Sequence, residues 1–265
     1  MKGAILFDST MCIGCEACVA ACKEQNNLPA TIDPKLTAYT WTVVEQRNKV
    51  FIRRMCMHCE SPTCVSVCPV QAFQKEPNGP VLYDASRCIG CRYCIMACPF
   101  RAPRYQWDRT VPIVQKCIMC PDRIIAGKAP ACASVCPTGA TMFGDRDELI
   151  REARSRLWTS PKNYVPRIYG LEEVGGTSVL ILSSVPFASL GLWSDLPLSP
   201  LPTLTWQVLS KIPDFVVVGG ALLYGVWWIT NRRNHVQDFL AREASRPGAS
   251  VPTHGEGREE RMQAP

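Results

Sequence analysis

The chain has 265 residues, a net charge of +6 and sixteen cysteines. That length gives room for one or two compact domains, and it is far too long for a small secreted scaffold stapled by disulfides. The charge excess is mild and no basic stripe with interleaved aromatics accompanies it, so nucleic-acid binding is not expected.

In chain order, the apolar residues 4–7 predict a strand that passes through Asp8 into a first cysteine group, Cys12, Cys15, Cys18 and Cys22. Residues 39–45 and 50–54 predict two strands, with 46–49 as the hairpin loop. The second group follows at Cys56, Cys59, Cys64 and Cys68. A second apolar run, 80–83, leads through Asp84 into the third group, Cys88, Cys91, Cys94 and Cys98. The fourth group is Cys117, Cys120, Cys132 and Cys136, and no cysteine follows it. Beyond it, Asp145 with Glu148 reads as a capping box, and Leu149, Ile150, Ala153 and Leu157 mark the apolar face of a helix. Gly175-Gly176 precedes a strand-like run, 177–182, and the Pro-, Leu- and Ser-rich residues 186–202 predict an extended crossing of a surface. Residues 215–230 carry no charge, and the polar tail from Glu243 onward reads as disordered.

Groups one and three have the spacing C-x2-C-x2-C-x3-C, and groups two, three and four end in Cys-Pro at Pro69, Pro99 and Pro137. In that bacterial ferredoxin pattern three close cysteines hold one iron–sulfur cube and the fourth reaches to a second. Structural zinc is the main alternative, since four-cysteine sites also use C-x2-C pairs. A triplet such as Cys12, Cys15 and Cys18 suits three corners of a cube better than one tetrahedral ion, so four [4Fe–4S] clusters are expected and a zinc-stabilised scaffold is not.

Internal repeats organise the groups. The segment from Ala4 to Cys15 aligns with that from Pro80 to Cys91, and CVSVCP in group two aligns with CASVCP in group four. Gly14 and Gly90 let the backbone curl around a cluster, because glycine tolerates positive φ. Groups two and three are separated by only 19 residues and form one two-cluster unit; groups one and four close around it as another. The crossover rule then gives four ligand sets. They are Cys12, Cys15, Cys18 with Cys136; Cys117, Cys120, Cys132 with Cys22; Cys56, Cys59, Cys64 with Cys98; and Cys88, Cys91, Cys94 with Cys68. Group one lacks the proline and has Lys23 there, so Cys22 is assigned on spacing alone. Lys23, Arg53, Arg54, Arg87, Arg92, Arg101 and Lys116 crowd the cluster loops, where positive charge favours a cluster's reduced form and raises its potential; taken singly, each reads as a surface charge.

The uncharged run is short for a span, which needs about 20 residues. Pro213 can open the helix, Tyr224, Trp227 and Trp228 supply an interfacial belt, and Arg232-Arg233 supplies a positive-inside flank. The expected topology puts the C-terminal tail in the cytoplasm and the cluster domain outside. Asp8 interrupts any signal-peptide core and no twin-arginine leader is present, so export would rely on a partner carrying the signal.

The expected fold class is α+β: two ferredoxin-like two-cluster units, one inserted in the other, plus a single C-terminal transmembrane helix. The expected domains are a cluster domain over 1–144 (inner unit 56–98, outer unit 1–55 and 99–144), an extension and linker over 145–202, an anchor over 203–235 and a tail over 236–265.

The motifs CIGCEACVAAC, CMHCESPTCVSVCP, CIGCRYCIMACPF and CPDRIIAGKAPACASVCPTGA resemble the four-cluster subunits of respiratory molybdopterin enzymes and membrane-bound hydrogenases. Tyr169-Gly170, Gly175-Gly176-Thr177 and the C-terminal span narrow the resemblance to the formate dehydrogenase beta subunit and the iron–sulfur subunit of uptake nickel–iron hydrogenase. The resemblance implies a chain that does no bond chemistry. It would carry single electrons between a catalytic subunit, formate dehydrogenase first and hydrogenase as the alternative, and an integral membrane subunit bearing haem b or a quinone site. It also implies residence at the lipid bilayer of the inner membrane. A free-standing polyferredoxin is the competing class, and the apolar segment argues against it.

Overall fold

A computed structural model describes residues 2–31 and 33–245. Its contacts divide the chain into two units, Met1–Trp206 and Gln207–Pro265. Residues 246–265, most of the expected tail, lie outside the described residues.

The first unit is organised by its N-terminal strand. β1 (Gly3–Asp8) is buried along its whole length, so its apolar run does not alternate with polar residues. It lies between β8 (Thr141–Asp145), paired antiparallel with Ile5 opposite Phe143, and β9 (Val179–Leu182), paired parallel with Ile5 opposite Val179. The period of two sends Ala4, Leu6, Leu180 and Leu182 to one face and Ile5, Phe7, Val179 and Ile181 to the other. The first face packs on Leu149, Ile150 and Ala153 of α6 (Arg146–Thr159), with Leu157 beside them. The second face meets the core that carries Cys22, Cys56, Cys117 and Cys132. Asp145 caps α6 by accepting from the Asp147 N–H at 3.0 Å, while Glu148 pairs with Arg151 at 3.9 Å, so only half of the expected box forms.

Between β1 and β8 the chain builds the cysteine loops on short elements. These are α1 (Ala17–Gln25), β2 (Val43–Arg47), β3 (Val50–Arg54), α2 (Thr63–Ser66), β4 (Phe73–Lys75), β5 (Val81–Tyr83), α3 (Tyr93–Ala97), β6 (Arg104–Tyr105), β7 (Val114–Gln115), α4 (Pro121–Ile125) and α5 (Ala131–Ser134). The hairpin β2–β3 is tighter than expected. Arg47 pairs with Val50, leaving a two-residue turn at Asn48 and Lys49, both at positive φ (49° and 64°). Such a turn matches the right-handed twist of the strands, which a four-residue loop is not needed to close. Residues 39–42 stay outside the strand.

Of residues 186–202, the part from 187 to 192 turns inward instead of crossing a surface, while 193–200 have no helix or strand and are mostly exposed. Residues Phe187–Leu190 form a 3-10 turn that ends at Gly191 (φ 70°), and Phe187, Leu190 and Leu192 are buried in the same core as the cysteines. Arg54 holds the turn, donating to the carbonyls of Leu190 (2.7 Å) and Gly191 (2.9 Å). The apolar residues outweigh the prolines because folding back gives them a core to enter.

Helix α7 (Leu201–Leu209) straddles the division. Helix α8 (Ile212–Ala244) starts with Pro213 and Asp214 in its first turn, where a missing N–H and a negative charge are both favourable. No residue of α8 is buried, and Phe215, Val217 and Leu223 are each at least 70% exposed. A helix with this apolar window and no protein cover is a candidate membrane span. Its apolar run rises about 24 Å, so Tyr224, Trp227 and Trp228 fall at one end, the place of an interfacial belt. The helix does not stop at 235: Val236, Phe239 and Leu240 keep an i, i+3, i+4 pattern among good helix formers, and 236–244, expected as tail, is helical.

Candidate metal centre

Groups one and three sit on the same local scaffold. Asp8 accepts from the Thr10 N–H (3.0 Å) and hydroxyl (2.6 Å), and Asp84 accepts from the Ser86 N–H (2.9 Å) and hydroxyl (2.6 Å). Each Asx turn ends a strand and aims the chain at the first cysteine. Gly14 and Gly90 then take φ of 72° and 71°, and Glu16 and Arg92 take 57° and 63° just before α1 and α3. A Cβ at Gly14 would strike the Phe51 ring, and one at Gly90 would lie 2.9 Å from the Tyr105 hydroxyl. These glycines are required both by φ and by space.

Groups two and four share a second scaffold: α2 begins after Pro62, and α5 after Pro130. After the last cysteine of groups two, three and four the chain turns back identically. The N–H of Gln71 donates to Cys68 O (3.2 Å), that of Arg101 to Cys98 O (3.1 Å) and that of Gly139 to Cys136 O (3.3 Å), with positive φ at all three donors. The turn points further N–H groups at sulfur: Ala72 donates to Cys68 Sγ (3.2 Å) and Thr141 to Cys136 Sγ (3.4 Å). Gly90 likewise donates to Cys88 Sγ and Met119 to Cys117 Sγ, both at 3.4 Å. Group one departs where it lacks proline. Helix α1 runs through Lys23 to Gln25, and the Lys23 side chain turns inward to donate to Pro29 O (2.9 Å), Tyr39 O (3.2 Å) and Thr40 Oγ1 (2.7 Å).

All sixteen cysteines are free thiols. Tertiary packing draws each group's last cysteine beside another group. Cys12 has Cys136 and Cys15 as charge neighbours, and Cys22 has Cys132 and Cys120. Cys59 has Cys56, Cys98 and Cys64, while Cys94 has Cys88, Cys91 and Cys68. Helix α1 packs on α5, and α2 on α3. Burial pushes the free thiols of Cys22, Cys64 and Cys94 up to about 12 and that of Cys98 to about 11, and neighbouring sulfurs add to the rise. At Cys136 burial also raises the pKa, but donors from Thr141, Thr138 and Ala140 outweigh it and hold the thiol below its usual value.

The donor set fits iron–sulfur clusters. One cavity is lined by Cys68, Cys88, Cys91 and Cys94, with Val70, Ala72, Phe73 and Val114 as apolar walls. These four thiols border a space, and among the described residues no three His, Cys, Asp or Glu side chains are grouped as around a single ion. His58 is fully buried, accepts from the Val81 N–H at Nδ1 (2.9 Å) and leaves Nε2 with no partner among the described residues, an orphaned donor next in sequence to Cys59 that fits a site built to hold a further acceptor. Burial, with Lys116 and Lys75 nearby, keeps that ring neutral.

The cations around the loops are not all surface charges. Arg87, Arg92 and Arg101 are exposed and Arg54 is half-buried, but Lys23, Arg53 and Lys116 are buried. Lys116 donates to the Cys117 carbonyl (3.0 Å) and to Val81 O, and Cys64 feels its charge. Sequence alone missed these three and His58, because nothing local separates an inward lysine from an outward one. Lys23, His58 and Lys116 each stand next to a cysteine (Cys22-Lys23, His58-Cys59, Lys116-Cys117), but so do the exposed Arg87 and Arg92, and Arg53 does not.

Comparison with known proteins agrees with this chemistry. A family model described as a 4Fe-4S dicluster domain matches residues 47–146. A protein of Nitratidesulfovibrio vulgaris is 40% identical over 250 residues, covering 88% of this chain and 68% of its own length. The hydrogenase-2 operon protein HybA of Escherichia coli O157:H7 is 36% identical over 235 residues, 71% of this chain and 72% of its own. The formate dehydrogenase-O iron–sulfur subunit of Escherichia coli K12 is 38% identical over 273 residues, 90% of this chain and 87% of its own. With its cavity-lining thiols and dicluster match, the chain belongs to the family of 4Fe-4S electron-transfer subunits of oxidoreductases that includes HybA and the formate dehydrogenase iron–sulfur subunits.

Proposed function

We propose that this chain holds four [4Fe–4S] clusters and carries single electrons between a catalytic subunit, formate dehydrogenase first, and a membrane subunit bearing haem b or a quinone site. Iron–sulfur clusters, when bound, take up and release one electron at a time. The chain supplies thiolate ligands, apolar walls that exclude water, and N–H donors aimed at sulfur.

The observation that carries the proposal is the pairing of each group's last cysteine with a neighbouring group. It supports the crossed sets Cys12, Cys15, Cys18 with Cys136; Cys117, Cys120, Cys132 with Cys22; Cys56, Cys59, Cys64 with Cys98; and Cys88, Cys91, Cys94 with Cys68. It also supports two ferredoxin-like units, groups two and three inside groups one and four. Proximity of Cys94 to Cys64, Cys56 to Cys117 and Cys22 to Cys18 suggests the linear order three, two, four, one. In that order the two end groups own the exposed cysteines, Cys91 and Cys15, where partner subunits can come close.

One feature favours the formate dehydrogenase class. An alignment covering 90% of 265 residues cannot fit within the 200 that precede Leu201, so the similarity to the formate dehydrogenase-O subunit reaches into the α7–α8 region. The HybA match, over 71% of the chain, keeps a nickel–iron hydrogenase as the second reading. The uncharged run of α8, followed by Arg232-Arg233, supports anchoring in the inner membrane, with the tail cytoplasmic and the cluster domain periplasmic.

Iron and acid-labile sulfide in the purified full-length chain should each approach about sixteen per chain, four cubes of four. Zinc with little sulfide overturns the proposal. Copurification of a molybdopterin subunit supports the first reading, and a nickel–iron subunit the second.

A further inference from the structure

Arg53 is 3% exposed, yet among the described residues it forms no ion pair with Asp or Glu. Its place is fixed from both sides. It sits in β3 opposite Val44, its Nε donates to Thr42 Oγ1 at 2.9 Å, and its Nη1 lies 3.4 Å from Thr141 Oγ1. Thr42 and Thr141 are themselves buried. The charge neighbours of the guanidinium are sulfurs: Cys12, Cys18, Cys22, Cys117, Cys120 and Cys132. All six belong to the two ligand sets built from groups one and four.

A buried charge with no counter-ion is strongly unfavourable, and an arginine cannot escape by losing its proton. The six thiols are that counter-ion only when they are thiolates, the state they hold as ligands to iron. A cube with four thiolates is a net anion, and each added electron makes it more negative. A cation locked beside it, beyond the reach of salt, lowers the cost of that electron. Burial in the core keeps the charge from swinging toward solvent.

We propose that Arg53 is a positioning residue that biases the clusters of groups one and four, and not those of groups two and three, toward their reduced forms. The inference rests on the cluster assignment proposed above. It goes further by dividing the four redox centres into two electrostatic classes, one governed by this guanidinium.

The test is a redox titration of the full-length chain in its membrane complex, followed by cluster-resolved EPR, with iron and sulfide measured on each sample. Arg53→Met should lower the reduction equilibrium constant of two clusters by about tenfold or more, about 59 mV for one electron, and leave the other two in place. Arg53→Lys should restore both to within about threefold of wild type. Thr42→Val removes a hydrogen bond but no charge, and should leave all four unchanged. Unmoved potentials in a fully loaded Arg53→Met protein overturn the inference, as does an equal shift of all four clusters or a Thr42→Val protein that reproduces the shift. If Arg53→Met takes up no iron, Arg53→Lys decides: retained potentials support the inference, and a tenfold fall overturns it. Wild-type chain lacking sulfide would instead end the cluster assignment itself.

Discussion

Lys23 Nζ donates to Thr40 Oγ1 at 2.7 Å from the position where groups two, three and four carry proline. The lysine replaces a turn by a tether. It lets α1 continue past Cys22 and ties the helix to residues 29–40 through two backbone carbonyls and a hydroxyl. Lys23→Met should keep the volume but remove the charged donor shared by Pro29 O, Tyr39 O and Thr40 Oγ1, costing about 1–3 kcal/mol in denaturant unfolding. Lys23→Pro should cost about 3 kcal/mol more, because it also breaks a helix interior. A Lys23→Pro chain as stable as wild type would show that group one tolerates the turn of the other three.

The hairpin turn gives a gain instead of a loss. Lys49 sits at φ 64°, where a side chain crowds its own backbone. Lys49→Gly creates Asn-Gly, the preferred pair for this turn, and should stabilise the chain by about 0.5–1 kcal/mol. Thermal unfolding of the two proteins side by side checks this, and a fall in stability would mean that Lys49 makes a contact worth more than the strain.

Crossed ligation is tested most sharply at Cys68, which lines a cavity with three cysteines of another group. Cys68→Ser should change the EPR signal of the group-three cluster and leave the group-two cluster with its own signal. Loss confined to group two would refute the crossover. The N–H of Ala72 that donates to this sulfur should remain able to donate to a serine oxygen, so folding should survive.

Ending the chain after Trp206 removes α8 and no cysteine. An end here, like one at 202, keeps the contacts of Val174 and Gly175 with Pro197 and Leu198. Iron and sulfide content should match the full chain, while the protein leaves the membrane fraction once its partners are removed. Retention in washed membranes would show that α8 is not the anchor.

Topology has its own test. A Ser250→Cys chain should resist an impermeant thiol reagent applied to intact cells and react after permeabilisation. Reaction in intact cells would reverse the orientation and put the cluster domain in the cytoplasm.

The sequence by itself determined what is local. Spacing alone marked the sixteen thiols, and the Asp8 and Asp84 turns, Gly14 and Gly90, and the buried face of α6 follow from residues within a few positions of one another. Side-chain period and backbone φ act over that range, so they can be read directly. Tertiary structure decided where charges and ends of elements go. Arg53, Lys116 and Lys23 look like Arg87 and Arg92 in sequence, and burial alone separates them. Residues 187–192 fold inward onto a core built by distant parts of the chain, and Arg54, far away in sequence, holds them there through the Leu190 and Gly191 carbonyls. Which sulfur neighbours which is likewise a long-range fact: Cys136 reaches Cys12 only after β8 has paired with β1. Burial and pairing are decided by what the rest of the chain brings to a residue, and no window of neighbours contains that information.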